Sequence, residues 1–144
     1  MDRQAQAHRL LQVGVGLLLL ALLLGLVMSR FAAPRVALSA HLIGILQGIL
    51  LLVLGLLWAR VGFSPKQSAV TFWLVVYQAL AAFLSNVLAA AWAAGGSIIP
   101  LAAGTARGTV VQETVINVGL RSAGAALIAA LVMLLWGLRR VAAG

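Results

Sequence analysis

Four long runs of apolar residues, separated by short segments that contain Arg, Lys, Gly or Pro, set the pattern of this sequence. Each run is long enough to supply the roughly 20 residues with which a helix crosses a bilayer core of about 30 Å. A segment surrounded by lipid must satisfy its own backbone hydrogen bonds, so these runs predict helices. The sequence therefore predicts an all-α integral membrane four-helix bundle, with spans at about residues 10–28, 36–59, 68–93 and 110–138.

The segments between the runs carry residues that end helices. Pro65 stands in the second connection and Pro100 in the third, and proline lacks the backbone donor that a helix interior needs. Residues 97–112 form the longest connection, which we expect to be partly re-entrant. Four spans with such short connections use up the whole chain, so residues 1–144 are predicted to be a single transmembrane domain.

The composition supports this class of protein. Of the 144 residues, 64% are hydrophobic and only 8% are charged, whereas soluble domains carry about 25% charged residues. The net charge is +8, but the cations stand singly or in pairs at the ends of the runs, where they anchor helices to lipid headgroups. We therefore expect a lipid bilayer and no nucleic acid as the partner. The lack of cysteine excludes disulfides, zinc–thiolate sites and iron–sulfur clusters.

The cations at the span ends also predict an orientation. Cytoplasmic ends carry more Lys and Arg than the opposite ends. With Arg121 set aside as intramembrane, one side has Arg3, Arg9, Arg60, Lys66, Arg139 and Arg140, and the other has Arg30, Arg35 and Arg107. This bias predicts that both termini lie in the cytoplasm, and we expect the membrane to be the bacterial inner membrane.

His41 is the first candidate for chemistry inside the bilayer. Gly44 and Gly48 follow it at i+3 and i+7, so the three share one face of the second helix. An imidazole beside two glycines leaves a flat space in which a planar macrocycle could bind, and histidine is a common ligand of haem iron. The same glycines form a GxxxG pattern, which packs helix against helix, and His41 could then hydrogen-bond across that contact. His8 lies in a polar leader and is expected to be solvated.

The fourth span carries a polar stripe. Glu113, Asn117 and Arg121 follow at i, i+4 and i+8 on one side of the helix. One interpretation is an internal ion-pair network in which Asn117 bridges the two charges. The other is a substrate pocket in which Glu113 or Asn117 polarises a ligand, with Glu113 as an acid or base.

The third span has a second polar face, formed by Gln78, Ser85 and Asn86, with Tyr77 beside it. Gln47 on the second helix is about 120° away from His41, so it could serve a pocket shared with a neighbouring chain. Such amides otherwise join helices inside membranes. Paired carboxylates, a P-loop and a dinucleotide fingerprint are missing, which favours an isomerase or a cofactor-dependent enzyme over a hydrolase.

Two segments resemble a known family. The start of the chain, MDRQAQAHRLLQVGVG, and the run SAHLIGILQG around His41 are similar to hydroxylaminobenzene mutases, and the likeness covers essentially the whole chain. It extends more weakly to styrene oxide isomerases. Members of the mutase family convert hydroxylaminobenzene to 2-aminophenol, an intramolecular shift of hydroxyl in bacterial nitroarene breakdown. The resemblance therefore implies a membrane mutase with a small aromatic hydroxylamine as its substrate.

The resemblance also implies a cofactor. Styrene oxide isomerases bind haem b through a histidine of the second helix, between the subunits of a trimer, and their ferric iron acts as a Lewis acid on the substrate oxygen. The ligand carries over to His41, and their following Asn becomes Gln47 here; Tyr77 is the candidate for their third-helix Tyr, while no acid of the third span matches their Asp. We accordingly place His41, Gly44, Gly48, Tyr77 and Arg121 at the haem, and Gln47, Asn86, Glu113 and Asn117 at the substrate.

Two other functions compete with the mutase. A small multidrug-type transporter would use Glu113 for proton exchange, and a non-catalytic membrane subunit would use the GxxxG pattern and polar stripes for assembly alone. A haem enzyme is coloured when purified, a transporter is not, and a scaffold turns over no hydroxylaminobenzene.

Overall fold

The computed structural model describes residues 2–142, with side chains as far as Arg139. Met1, the last two residues and the side chain of Arg140, which the charge count included, lie outside the described part. Four described helices are long and apolar enough to cross a membrane, which confirms the predicted all-α architecture. They are α1 (Arg3–Val27), α2 (Pro34–Leu57), α3 (Pro65–Trp92) and α5 (Val110–Ala142), and a one-turn helix α4 (Pro100–Ala103) lies in the third connection.

Capping residues decide where the helices begin. The Asp2 carboxylate accepts a hydrogen bond from the Ala5 backbone N–H at 2.7 Å, so α1 starts well before the predicted span. Ser64 and Gln67 bond each other's backbone N–H groups in a capping box, and Pro65 supplies the first residue of α3. Side chains outside the apolar runs thus lengthen two of the helices beyond the predicted spans.

The helices pack in the order α1, α2, α3, α5. α1 packs along α2, and both α2 and α5 pack along α3. Half of the most apolar stretch of α3 is buried, against 22–28% in the other three spans, so α3 is the central helix. The outer faces of α1, α2 and α5 are apolar and are exposed in the single chain. Such faces are suited to contact with lipid or with a neighbouring subunit.

Glycines set the close contact between α1 and α2. A Cβ atom on Gly48 would lie 2.9 Å from the Gly14 carbonyl oxygen, and one on Gly44 would lie 2.7 Å from the Ala21 Cβ. Phe83 of α3 closes the other side of Gly44, at 2.8 Å from the same hypothetical atom. The helix-packing interpretation of the GxxxG pattern is therefore confirmed.

A buried polar cluster joins α1, the residues after α2 and the start of α3 at one end of the bundle. The side-chain Oε1 of Gln6 accepts hydrogen bonds from the Trp58 indole at 2.9 Å and from the Ser68 hydroxyl at 2.5 Å. Gln6, Trp58 and Ser68 are all buried. The segment that the sequence suggested to be a polar leader is thus partly a helix turn inside the bundle, whereas His8 is exposed as expected.

Candidate functional site

The His41 imidazole lies at the seam between α1 and α2. Its Nδ1 is 2.7 Å from the backbone carbonyl oxygen of Ala21, one helix away, and the ring rests against Gly25. The side chain is half-buried, and exposed leucines, Leu22 of α1 and Leu38 of α2, stand nearby on the same two helices. The imidazole therefore opens onto an apolar outer surface of the chain.

The contact with Ala21 places a proton on the Nδ1 of the ring. A carbonyl oxygen can only accept a hydrogen bond, so Nδ1 carries the proton and donates it. In the neutral ring Nε2 then keeps its lone pair, and the described residues offer that nitrogen no hydrogen-bond donor. Histidines that bind metals have this arrangement, with one nitrogen held by a backbone or side-chain acceptor and the other turned to the metal.

These residues fit a haem iron in one respect and not in another. The imidazole, with its open Nε2 and apolar surroundings, would suit as the residue that holds the iron. The flat space predicted beside Gly44 and Gly48 is not there, because α1 and Phe83 fill it. The space beside Gly44 and Gly48 therefore has no room for a planar group between the helices of one chain.

The amides of α2 and α3 lie away from this seam. The Gln78 Nε2 donates to the Gln47 Oε1 at 2.8 Å, so the two side chains join α2 to α3. Since Gln47 reaches α3 while His41 reaches α1, one chain does not bring these two candidates together. The predicted angular separation of His41 and Gln47 is confirmed by their different helix partners.

Asn86 is buried in the same face of α3. Its Nδ2 donates to the Ala82 carbonyl at 2.9 Å, but its Oδ1 is buried without a hydrogen-bond partner among the described residues. A buried unsatisfied oxygen is rare in folded proteins and calls for a donor from water or a ligand. Asn86 thus remains a candidate for binding a substrate, with Ser85 beside it facing Gly119 of α5.

Glu113 holds the connection between α3 and α5. Its carboxylate accepts hydrogen bonds from the backbone N–H of Gly95 at 2.9 Å, of Gly108 at 3.0 Å and of Ser97 at 3.4 Å. The Ser97 hydroxyl adds another at 2.9 Å and in turn accepts one from the Asn117 amide at 2.6 Å. The carboxylate is engaged by a loop, and Asn117 is engaged with that loop.

The ion-pair network predicted along α5 is therefore wrong. Arg121 is exposed, and it forms no ion pair with Glu113 in the described part of the chain. Four donors from the loop satisfy Glu113 in place of a guanidinium two turns away. Asn117 bonds Ser97 and the Glu113 carbonyl, and so does not bridge the two charges.

Tyr77 lies at a third place, the seam between α3 and α5. Its hydroxyl is 2.7 Å from the Ser122 Oγ. Ser122 donates its own hydrogen to the Gly119 carbonyl, so the Tyr77 hydroxyl is the donor of the pair. The candidate site residues are consequently spread over separate seams of one chain.

Sequence reasoning missed two residues of the site, Ala21 and Gly25, which contact His41 from α1. The available signal was a single glycine in the leucine-rich stretch LLLGL. Among the described residues, no group of three or more His, Cys, Asp or Glu side chains forms a metal site.

Comparison with known proteins shows the family of this chain. The family model described as styrene oxide isomerase matches residues 6–139. The chain is 42% identical to hydroxylaminobenzene mutase HabB of Ectopseudomonas oleovorans, over 92% of this chain and 81% of that protein. It is 39% identical to hydroxylaminobenzene mutase HabA of the same organism, over 88% of this chain and 94% of that protein. No solved structure matches the chain. The chain therefore belongs to the styrene oxide isomerase family, and it is an isomerase.

Proposed function

We propose that this protein is a membrane mutase that converts hydroxylaminobenzene to 2-aminophenol, with haem b bound to His41. The names of the two mutase relatives support the reaction. The observation that carries the cofactor is the His41 ring, whose Nδ1 is held by Ala21 while Nε2 is open.

The reaction needs no outside oxidant or reductant. The N–O bond breaks and a C–O bond forms at the ortho ring carbon. That carbon loses its hydrogen as a proton, and the nitrogen gains a proton in place of the hydroxyl that it lost. Bound haem iron would supply Lewis acidity that assists N–O cleavage. The chain's own part is to hold the iron through His41, to orient the arene with amides and to keep water away by its apolar faces.

We further propose that the complete site forms between subunits. His41 contacts α1 and Gln47 contacts α3, so one chain keeps the two side chains apart and a pocket that uses both needs a second copy of the chain. We propose that this head-to-tail contact closes into a ring of three copies. In that ring the unpartnered oxygen of Asn86 would accept a hydrogen bond from the hydroxylamino group, while Gln47, which bonds Gln78 eight residues away along α3, would contact the arene.

Arg121 is our candidate for binding the carboxylates of the haem. Its side chain is exposed on a membrane-spanning helix and has no hydrogen bond or ion pair among the described residues. A guanidinium in lipid is unfavourable by at least about 2.5 kcal/mol near the bilayer centre unless an anion joins it. A porphyrin carboxylate at the subunit contact would provide that anion.

The proposed location is the bacterial inner membrane with both termini in the cytoplasm, which rests on the distribution of cations. The described ends of α1 and α5 that carry Arg3, Arg9 and Arg139 lie on the same side as Arg60 and Lys66, because consecutive spans alternate in direction. A transporter is the weaker candidate, because the loop already saturates the carboxylate of Glu113.

Isotope labelling tests the reaction. Membranes carrying this chain, from a host without the activity, are given hydroxylaminobenzene whose hydroxyl holds oxygen-18. We expect 2-aminophenol that keeps the label, since the oxygen moves within one molecule. Absence of product, or product whose oxygen comes from water, would overturn the proposed mutase reaction.

A further inference from the structure

We propose that Gly25 of α1 is a positioning residue for His41, and that the backbone of α1 selects which ring nitrogen is available to a ligand. The part that concerns iron rests on the proposed function, whereas the state of the ring does not. Three atoms define this contact: the Ala21 carbonyl oxygen, the Gly25 Cα and the His41 Nδ1.

Gly25 leaves the room that the ring occupies. A Cβ atom built on Gly25 would lie 2.8 Å from the His41 Cε1 and 2.9 Å from its Nδ1, against 3.6 Å from its Nε2. Real Cβ atoms do not approach ring atoms below about 3.0 Å without a shift of one partner. Any side chain at this position therefore pushes on the edge of the ring that makes the hydrogen bond.

The helix geometry explains why the glycine stands at this position. In α1 the N–H of residue 25 bonds the carbonyl of residue 21, so residue 25 lies directly over that carbonyl. A side chain from α2 that seeks the second lone pair of this oxygen must pass residue 25. Glycine has no side chain and therefore leaves this path open, although glycine is unfavourable in a helix interior.

The hydrogen bond then imposes a tautomer. A neutral histidine in water favours the tautomer with its proton on Nε2. In that tautomer Nε2 has no free lone pair and cannot bind a metal. The Ala21 carbonyl requires the proton on Nδ1 and so leaves the Nε2 lone pair open. Gly25 and Ala21 together prepare the ring before any ligand arrives.

Nitrogen NMR tests the tautomer without haem. The full-length protein in detergent is labelled with nitrogen-15 histidine, and its two histidines are told apart with His8→Gln. We expect His41 to show a protonated Nδ1 and an unprotonated Nε2 in the wild type. The same pattern should persist in Gly16→Ala and be lost in Gly25→Ala. Gly16 is the matched control, because it lies in the same helix and a Cβ there meets nothing within 4 Å.

Haem titration of the same three proteins tests the consequence. Loss of a residue that orients a metal ligand weakens binding about 10- to 100-fold, which we expect for Gly25→Ala and not for Gly16→Ala. The Soret band of what remains bound should also shift, since a displaced ring is a poorer ligand. A tautomer as predicted with no haem binding by the wild type would refute the cofactor and leave the positioning role intact.

Two results would overturn the inference itself. One is a wild-type His41 with its proton on Nε2, which needs no variant to be seen. The other is a Gly25→Ala protein whose ring signals and haem affinity match those of Gly16→Ala while the wild type binds haem.

Discussion

His41 and Glu113 are the residues whose surroundings most change their interpretation. His41 is a ligand candidate in the sequence because of two glycines on its own helix, but the contacts that define its chemistry come from Ala21 and Gly25. Glu113 suggests acid–base chemistry or an ion pair, and the structure gives it the backbone of a loop. In both cases atoms distant in sequence decide the role of the side chain.

Glu113 should therefore matter for stability and not for the chemical step. In Glu113→Gln the amide keeps one acceptor oxygen and brings N–H groups toward other N–H donors. We expect a loss of about 1.5–3 kcal/mol in unfolding free energy, the usual value for hydrogen bonds to a charged group. Thermal unfolding in detergent checks the loss of stability, and turnover measured well below the unfolding transition checks that the chemical step is unchanged.

Gln112 provides the control, because its side chain caps the same helix through Thr109 and makes no hydrogen bond to the loop glycines that Glu113 binds. Gln112→Ala should lower the unfolding free energy by less, about 1 kcal/mol, as for other lost helix caps. A Glu113→Gln protein of unchanged stability but greatly reduced kcat would instead make Glu113 a catalytic acid or base.

At the scale of helices, the contact between α1 and α2 rests on glycines that exclude side chains. We expect Gly48→Ala to destabilise the fold by about 1–3 kcal/mol, because the added methyl meets the Gly14 carbonyl and Leu18 in a filled interface. Gly124→Ala on α5 is the comparison, since nothing lies within 4 Å of its Cβ. Equal unfolding midpoints for the two variants would contradict the proposed packing role.

The spans followed from local sequence, whereas the contacts between them did not. Runs of apolar residues predicted all four helices, because length and hydropathy are properties of the segment itself. The GxxxG pattern stayed ambiguous, because its meaning depends on Gly14 and Ala21 of another helix. The burial of Gln6 likewise needs Trp58 and Ser68, which the periodicity of α1 alone does not indicate.

At the scale of the whole molecule, the arrangement of α1, α2, α3 and α5 separates the proposed iron ligand from the amides. If two copies complete one site, mixed assemblies of His41→Ala and Gln47→Leu chains should regain activity that neither variant has alone. Random mixing in a ring leaves about a quarter of the contacts with both residues intact. We expect about that fraction of wild-type activity from co-expressed chains.

Separately purified variants mixed after assembly are the control, because subunits that do not exchange cannot share a site. Each variant must also elute as the wild-type assembly does on gel filtration. No recovery from co-expressed chains that assemble normally would place the whole site within one chain.

The absorption spectrum of the purified protein tests the central claim most directly. Wild type and His8→Ala, grown with haem precursor, should both be red, with a Soret band and about one haem per chain, as expected if each chain supplies one histidine ligand. His41→Ala, folded to the same assembly, should lack the band. A colourless wild type, or a His41→Ala protein with the full Soret band of the wild type, would contradict the account.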